Sequence, residues 1–339
     1  MIRSHTLPRV VIVTRKTPLQ LLQERHGTIA QAEFYLRSRG DDVREYREAH
    51  DRLESGLHEV IASLSSDQRR TLVDRDQIDR FLFAPDDLVV VVGQDGLVPN
   101  VAKYLDGQLT IGINPDPSRY DGVLCRHPPQ RVRALLEWVR RPTDRDFRVE
   151  ARTMLVAERE DGQQLLSLNE VFIGHRTHQS ARYRLKVGRR EERQSSSGIV
   201  CATGTGCTGW ALSIARQRRI EQPLPAPEID RGVWFVREPF PSVHTHVSLD
   251  FGPISRGTGL EVVSEMAEGG VVFADGIEAD RLEFADGHSL RIGLATQKLA
   301  LVVARNPERT ATRRQRREVH ALGRGTAKRP VQVNSRALG

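Results

Sequence analysis

The chain has 339 residues, enough for two domains of ordinary size, and no stretch approaches the roughly 18 apolar residues of a membrane span. It enters a strand almost at once without a signal-peptide core, and its three cysteines (Cys125, Cys201, Cys207) lack metal-ligand spacing; both features predict a non-membrane protein of the reducing cytoplasm. The net charge of +7 is local, because residues 305–339 carry ten Lys/Arg against two Glu and leave the preceding 304 residues near neutrality.

In chain order, residues 1–143 alternate strand and helix. Residues 9–14 read as a strand and 17–38 as a helical stretch interrupted at Gly27, while 47–64 places Leu53, Leu57, Val60, Ile61 and Leu64 on one helical face. A strand at 86–92, a short helix through 101–105, a strand at 110–113 and an amphipathic helix at 128–140 follow. This alternation predicts parallel strands joined by crossover helices. From 144 to 304 the texture is β-rich. Strands are predicted at 147–157, 166–173, 182–187, 198–203, 232–237, 246–250, 260–264, 269–274, 281–284 and 290–294, with one helix at 207–217 and the chain returning at 299–304. The expected fold class is therefore an α/β N-terminal domain (1–143) followed by a β-rich C-terminal domain (144–304). The basic tail (305–339) reads as a solvated, disordered end or, in a sharper reading, as a weak hold on nucleic acid.

The segment 88–97, LVVVVGQDGL, carries the clearest chemistry. A leucine and four valines suit a strand buried on both faces, and the strand runs into Gly93-Gln94-Asp95-Gly96. Open α/β sheets bind ligands beyond the carboxyl ends of their strands, which makes Asp95 a candidate site acid, although Asp-Gly is also an ordinary turn. Residues 204–209, Gly-Thr-Gly-Cys-Thr-Gly, formally match a dinucleotide-binding fingerprint. They lie deep in the β-rich half instead of opening a βαβ unit, and Glu221 arrives too early to be the ribose acid. Three glycines, two threonine hydroxyls and free helix N–H groups suit either a phosphate- or ribose-bearing ligand or a plain connecting turn. Asn169-Glu170 sits inside the apolar run LLSLNEVFIG. Unpaired burial there would cost on the order of a few kcal/mol, so the pair requires a protein or ligand partner. His244 and His246 lack a third ligand and read as ordinary strand histidines, and His175 and His178 as loop histidines. No nucleophile elbow, Walker A loop or protein-kinase signature is present.

Taken in order, these segments resemble the NAD kinases, most closely the branch that includes the mitochondrial-type enzymes. Gly93-Gln94-Asp95-Gly96-Leu97 is similar to that family's Gly-Gly-Asp-Gly-Thr, and Gly112-Ile113-Asn114-Pro115-Asp116-Pro117, with Gly122 and Cys125, to the branch's second loop. The run LNEVFIG at 168–174 resembles its Asn-Glu motif and 196–210 its threonine/glycine-rich motif, with Arg237-Glu238-Pro239 and Asp275-Gly276 following in order. The resemblance implies a two-domain fold with the active site between the domains, a homo-oligomer, and phosphoryl transfer from ATP, with Mg2+, to the 2′-hydroxyl of the adenosine ribose of NAD. It implies Asp95 as the general base or positioning acid, with Gly96, Asn169, Glu170, Thr208, Gly209, Trp210 and Ser213 on NAD. Gly93, Gln94, Thr205, Gly206 and Asp275 would lie at the nucleotide and phosphates, and no side chain is assigned as a metal ligand. Two positions depart from the pattern: Gln94 stands for a glycine and disfavours a positive φ, and Leu97 stands for a threonine and removes a hydroxyl. They motivate an alternative, a catalytically weakened NAD(P)-binding regulatory protein of the same fold.

Overall fold

Short strands build the parallel half of one sheet. A computed structural model describes residues 8–143 and 145–305. β1 (Val10–Thr14) is followed by α1 (Pro18–His26), α2 (Ile29–Ser38) and α3 (Val43–Ala62); then come β2 (Arg70–Asp74), β3 (Leu88–Val92), α4 (Leu97–Ala102), β4 (Leu109–Ile113) and α5 (Val132–Arg140). The four strands lie in the order β2-β1-β3-β4, all parallel. Every residue of β3 is buried, as a strand covered on both faces requires. Val10, Ile12, Val90 and Val92 pack with Leu57 and Val60 of α3 and Leu135 of α5, whereas Val11, Val13, Val89 and Val91 pack with Val98 and Val101 of α4. The helical stretch expected over 17–38 is two helices. Gly27 ends α1 with a φ of 82°, and Thr28 caps α2 by accepting the Gln31 N–H.

The second half contributes β5 (Phe147–Arg159), β6 (Gln164–Ser167), β7 (Glu170–His175), β8 (Ala181–Val187), β9 (Arg190–Ser196), β10 (Ile199–Thr203), α6 (Trp210–Gln217), β11 (Gly232–Val236), β12 (Phe251–Ile254), β13 (Leu260–Ser264), β14 (Gly270–Ala274), β15 (Ile277–Glu283) and β16 (Ser289–Ala304). β16 serves both halves of the sequence. Its Ala300 and Leu301 pair in parallel with Leu109 and Thr110 of β4, while Leu290 and Ile292 pair antiparallel with β13. One mixed sheet therefore runs β2-β1-β3-β4-β16-β13-β8-β9, with β5 paired to β16 and β6 to β5. The other sheet, β12-β11-β10-β7-β14-β15, is antiparallel throughout. Leu155, Ile173, Tyr183, Cys201, Trp234 and Val262 form the core shared by the two sheets. α6 covers the far face of the second sheet through Ala211, Ile214 and Ala215 against Val200, Ala202 and Phe235. The architecture is the expected α/β portion with a β-rich portion after it.

Several elements differ from the sequence expectation. Residues 246–250 are irregular: the Leu249 N–H goes to the Glu192 carboxylate, and the strand starts at Phe251. β2 buries only Val73, and β9, REERQSS, is a charged edge strand, so neither carries the apolar alternation that marks a strand in sequence. The runs at 290–294 and 299–304 belong to one strand, whose pairing with β5 is irregular between Leu294 and Lys298. No helix among the described residues is long and apolar enough to cross a membrane. The basic tail from 306 onward lies outside the described residues.

Candidate active site

In the order β2-β1-β3-β4, the chain leaves β1 for one neighbour and later returns to the other, which makes the crevice beyond β1 and β3 a switch point for ligands. Arg15, Lys16 and Thr17 follow β1 there, and Gly93 and Gln94 follow β3; with Asp116 and Tyr120 they line a cleft of about 40 Å3. The Asp95 carboxylate accepts three backbone N–H groups, Oδ1 from Leu124 and Cys125 and Oδ2 from Val123, each at 2.8 Å. It thereby fixes the loop after β4 and keeps one acceptor position on Oδ2. In this turn the positive φ belongs to Gly93 and not to Gln94, so the glutamine imposes no backbone strain. Its side-chain amide donates to the Tyr120 hydroxyl. Gly96 is exposed at the start of α4. Leu97 is 1% exposed and packs with Leu124 and Cys125 behind the Asp95 turn. Asp116, on the same cleft, is held by Arg52 at 2.9 Å.

Asp275 organises the second group of residues. It sits at a φ of 55° in the turn after β14, and its carboxylate accepts from Ser167 Oγ (2.8 Å) and from the N–H groups of Leu168, Asn169 and Glu170 (3.1, 2.7 and 3.3 Å). These bonds divide the strand expected over 166–173 into β6 and β7. Asp275 is therefore an internal anchor, and burial pushes its pKa up from the usual carboxylate value. Lys103, which follows α4, donates to the carbonyl of Ala274 at 3.2 Å and pairs with Asp280. The side chains of Asn169 and Glu170, both half-buried, make no hydrogen bond among the described residues. Burial, with the neighbouring charge of Asp275, pushes Glu170 up to about 7. Leu168, one residue earlier, shares a core with Leu97, Leu124 and Cys125. The Asn-Glu pair and the Asp95 turn are thus anchored in one hydrophobic core.

The glycine-rich turn is tied to the same place. Thr203 Oγ1 donates to the carbonyl of Leu168 (2.5 Å) and accepts from the N–H groups of Thr205 (3.0 Å) and Gly206 (3.2 Å). A Cβ on Gly206 would lie 2.2 Å from the carbonyl oxygen of Asn169, so only glycine fits. The N–H groups of Thr208 and Gly209 go to the carbonyls of Thr205 and Gly206. The N–H groups of Thr205 and Gly206 are thus occupied inside the turn, and Thr205 itself is buried. Thr208, Gly209 and Ser213 are exposed, while Trp210 is half-buried and Ala211 is buried. Trp210 stacks on Phe172 with centroids 5.8 Å apart, and the Arg237 guanidinium lies 5.2 Å from the indole centroid.

Arg15, Lys16, Lys103, Glu150 and Arg152 are site features that motif reading misses. The last two carry a signal, because Glu150 and Arg152 lie on the buried side of β5 and alternate with the exposed Ala151. His244 and His246 are exposed, and no group of three His, Cys, Asp or Glu among the described residues could hold a metal ion by itself. A larger open hollow of about 600 Å3, lined by Lys186, Arg256, Glu261 and Arg291, shares no residue with these loops.

No protein-family model matches the chain. It is 28% identical over 257 residues to NAD kinase 2, mitochondrial, of Rattus norvegicus, which covers 61% of this chain and 60% of the relative. The Homo sapiens protein of the same name is also 28% identical, over 256 residues, with 61% and 58% covered. The chain thus matches about three-fifths of the length of these curated relatives. Among solved structures, an NAD kinase from Archaeoglobus fulgidus in complex with ATP superposes with a TM-score of 0.53 at 18% identity, covering 92% of this chain and 97% of that one. Yeast NADH kinase complexed with NADH superposes with a TM-score of 0.57 at 14% identity, covering 97% and 91%. The fold is that of the NAD kinases, and the sequence is similar to their mitochondrial-type members.

Proposed function

We propose that this chain, with the fold of the NAD kinases and the sequence of their mitochondrial-type branch, transfers the γ-phosphoryl group of ATP to the 2′-hydroxyl of the adenosine ribose of NAD, giving NADP. The observation that carries the reading is that the Asp95 turn and the Asn169-Glu170 pair, whose side chains make no hydrogen bond among the described residues, are anchored in one hydrophobic core. Asn169 and Glu170 would hold the adenosine, and Thr208, Gly209, Trp210 and Ser213 would line the rest of the NAD pocket, with Gly96 beside the acid. The open acceptor position on Asp95 would take the hydrogen of the 2′-hydroxyl. A loose phosphoryl-transfer transition state asks for alignment and charge neutralisation more than for a strong base, so a carboxylate already holding three N–H groups is suited to the task.

Arg15 and Lys16 place positive charge at the cleft for the donor's phosphates. Mg2+ would come with those phosphates as part of the substrate and would neutralise charge on the transferred group, with no side chain of this chain assigned as its ligand. Gln94 has ordinary backbone geometry and Leu97 fills core, so neither departure displaces the acid, and the regulatory alternative gains no support. The resemblance also favours a homo-oligomer. The full chain incubated with NAD, ATP and Mg2+ is expected to form NADP; parallel reactions with NADH or inorganic polyphosphate report acceptor and donor preference. A folded chain that forms no phosphorylated dinucleotide with any of these contradicts the reading.

A further inference from the structure

A chain of charges with a buried centre links the two loops. Glu150 and Arg152 of β5 are 5% and 1% exposed. Arg152 donates to Glu150 Oε2 through Nη2 (2.7 Å) and Nε (3.1 Å), and its Nη1 reaches Thr205 Oγ1 at 3.3 Å. On the other side, Glu150 Oε1 accepts from Arg148 (2.7 Å) and lies 3.5 Å from Nη1 of Arg126. Arg126 Nε donates to the carbonyl of Val123 (2.8 Å), the residue whose N–H is held by Asp95. Polar contacts therefore lead from the Asp95 carboxylate, by way of Val123, Arg126, Glu150 and Arg152, to Thr205. The carbonyl of Thr205 in turn accepts the hydroxyl of Thr208 at 2.9 Å.

A buried ion pair is a poor source of net stability, because the cost of desolvating both charges offsets most of their attraction. What such a pair does supply is a fixed distance between the groups it joins. We propose that Arg126, Glu150 and Arg152 form a positioning brace that sets the Thr205–Thr208 turn in register with the Asp95 loop, and so aligns the acceptor nucleotide with the acid; this rests on the function proposed above. None of the three touches substrate in this account. They act through the two loops they join.

The test is a double-mutant cycle. Thr205→Val removes the hydroxyl that meets Arg152, and Arg126→Met removes the link to Val123 and Glu150. Each is expected to lower kcat per NAD-binding site about tenfold with little change in KM, since small misplacements of reacting groups cost rate more than affinity. The double variant should lose about tenfold again relative to wild type and not about a hundredfold, because both changes break one path. Thr205→Ser should restore wild-type kcat. A folded Thr205→Val with wild-type kcat, or losses that multiply in the double variant, overturns the brace. Should the wild-type chain form no NADP, the proposed function fails while the brace is still read by amide hydrogen exchange. Thr205→Val must then speed exchange at 123–125 as well as at 205–209, and an effect confined to 205–209 overturns it. If Thr205→Val does not fold, Arg126→Met, made on an exposed residue, gives the reciprocal exchange measurement with the same two outcomes.

Discussion

Asp95 and Asp275 use one device twice. Each carboxylate gathers three consecutive backbone N–H groups, at 123–125 and at 168–170, and so turns a stretch of chain into a rigid wall of the site. Replacing Asp275 with alanine would leave those donors and the Ser167 hydroxyl unpaired. A loss of about 2–4 kcal/mol in unfolding free energy is expected, measurable by denaturant titration. Glu170 gives a pH signature. Its folded pKa of about 7 lies above the usual value near 4.5, so the folded chain binds the proton more tightly than the unfolded one. The associated stability is complete below pH about 4.5, falls as the pH rises to about 7, and is gone above it. Wild-type melting temperature should decline across that window, and Glu170→Gln should decline less; equal slopes would show that Glu170 does not carry the shift. Asp275, whose pKa is also raised by burial, contributes in the same direction, which is why the slope of the Gln variant is reduced and not abolished.

At the scale of elements, the glycine-rich turn is held by close backbone approach and not by its resemblance to a dinucleotide fingerprint. Gly206→Ala forces a methyl against the Asn169 carbonyl, so either the turn or the start of β7 must move. The expected result is a destabilisation of about 1–3 kcal/mol together with weakened NAD binding by calorimetry, whereas an unchanged affinity would separate the turn from the NAD pocket. The contrast between elements shows what sequence conveys. β3 is legible because a strand covered on both faces must be apolar throughout, and the Asn-Glu pair is legible because polar residues interrupt an apolar run. The break between β6 and β7 is not, since its cause, Asp275, lies 106 residues beyond Asn169 in the chain. β2 and β9 are edge strands whose exposure removes the alternation that would mark them. The occupied N–H groups of Thr205 and Gly206 depend on the Thr203 hydroxyl, whose orientation no spacing rule conveys.

In the molecule as a whole, β16 joins the α/β portion to the β-rich portion, pairing with β4 at one end and with β13 and β5 along its length. Truncation after residue 305 keeps every one of these pairs and is expected to leave the melting temperature unchanged within about 2 °C. Truncation before Leu299 removes the pairing to β4 and to 147–152 of β5 and should abolish cooperative unfolding. On the proposed function the same join would bring the acid and the acceptor pocket together, and that is the central claim. Its most direct test compares Asp95→Asn with wild type in two assays, NADP formation with ATP and Mg2+ and NAD binding by calorimetry. The account predicts a fall in kcat of about 10²- to 10⁴-fold with NAD binding retained. A folded Asp95→Asn chain that forms NADP at the wild-type rate would contradict it.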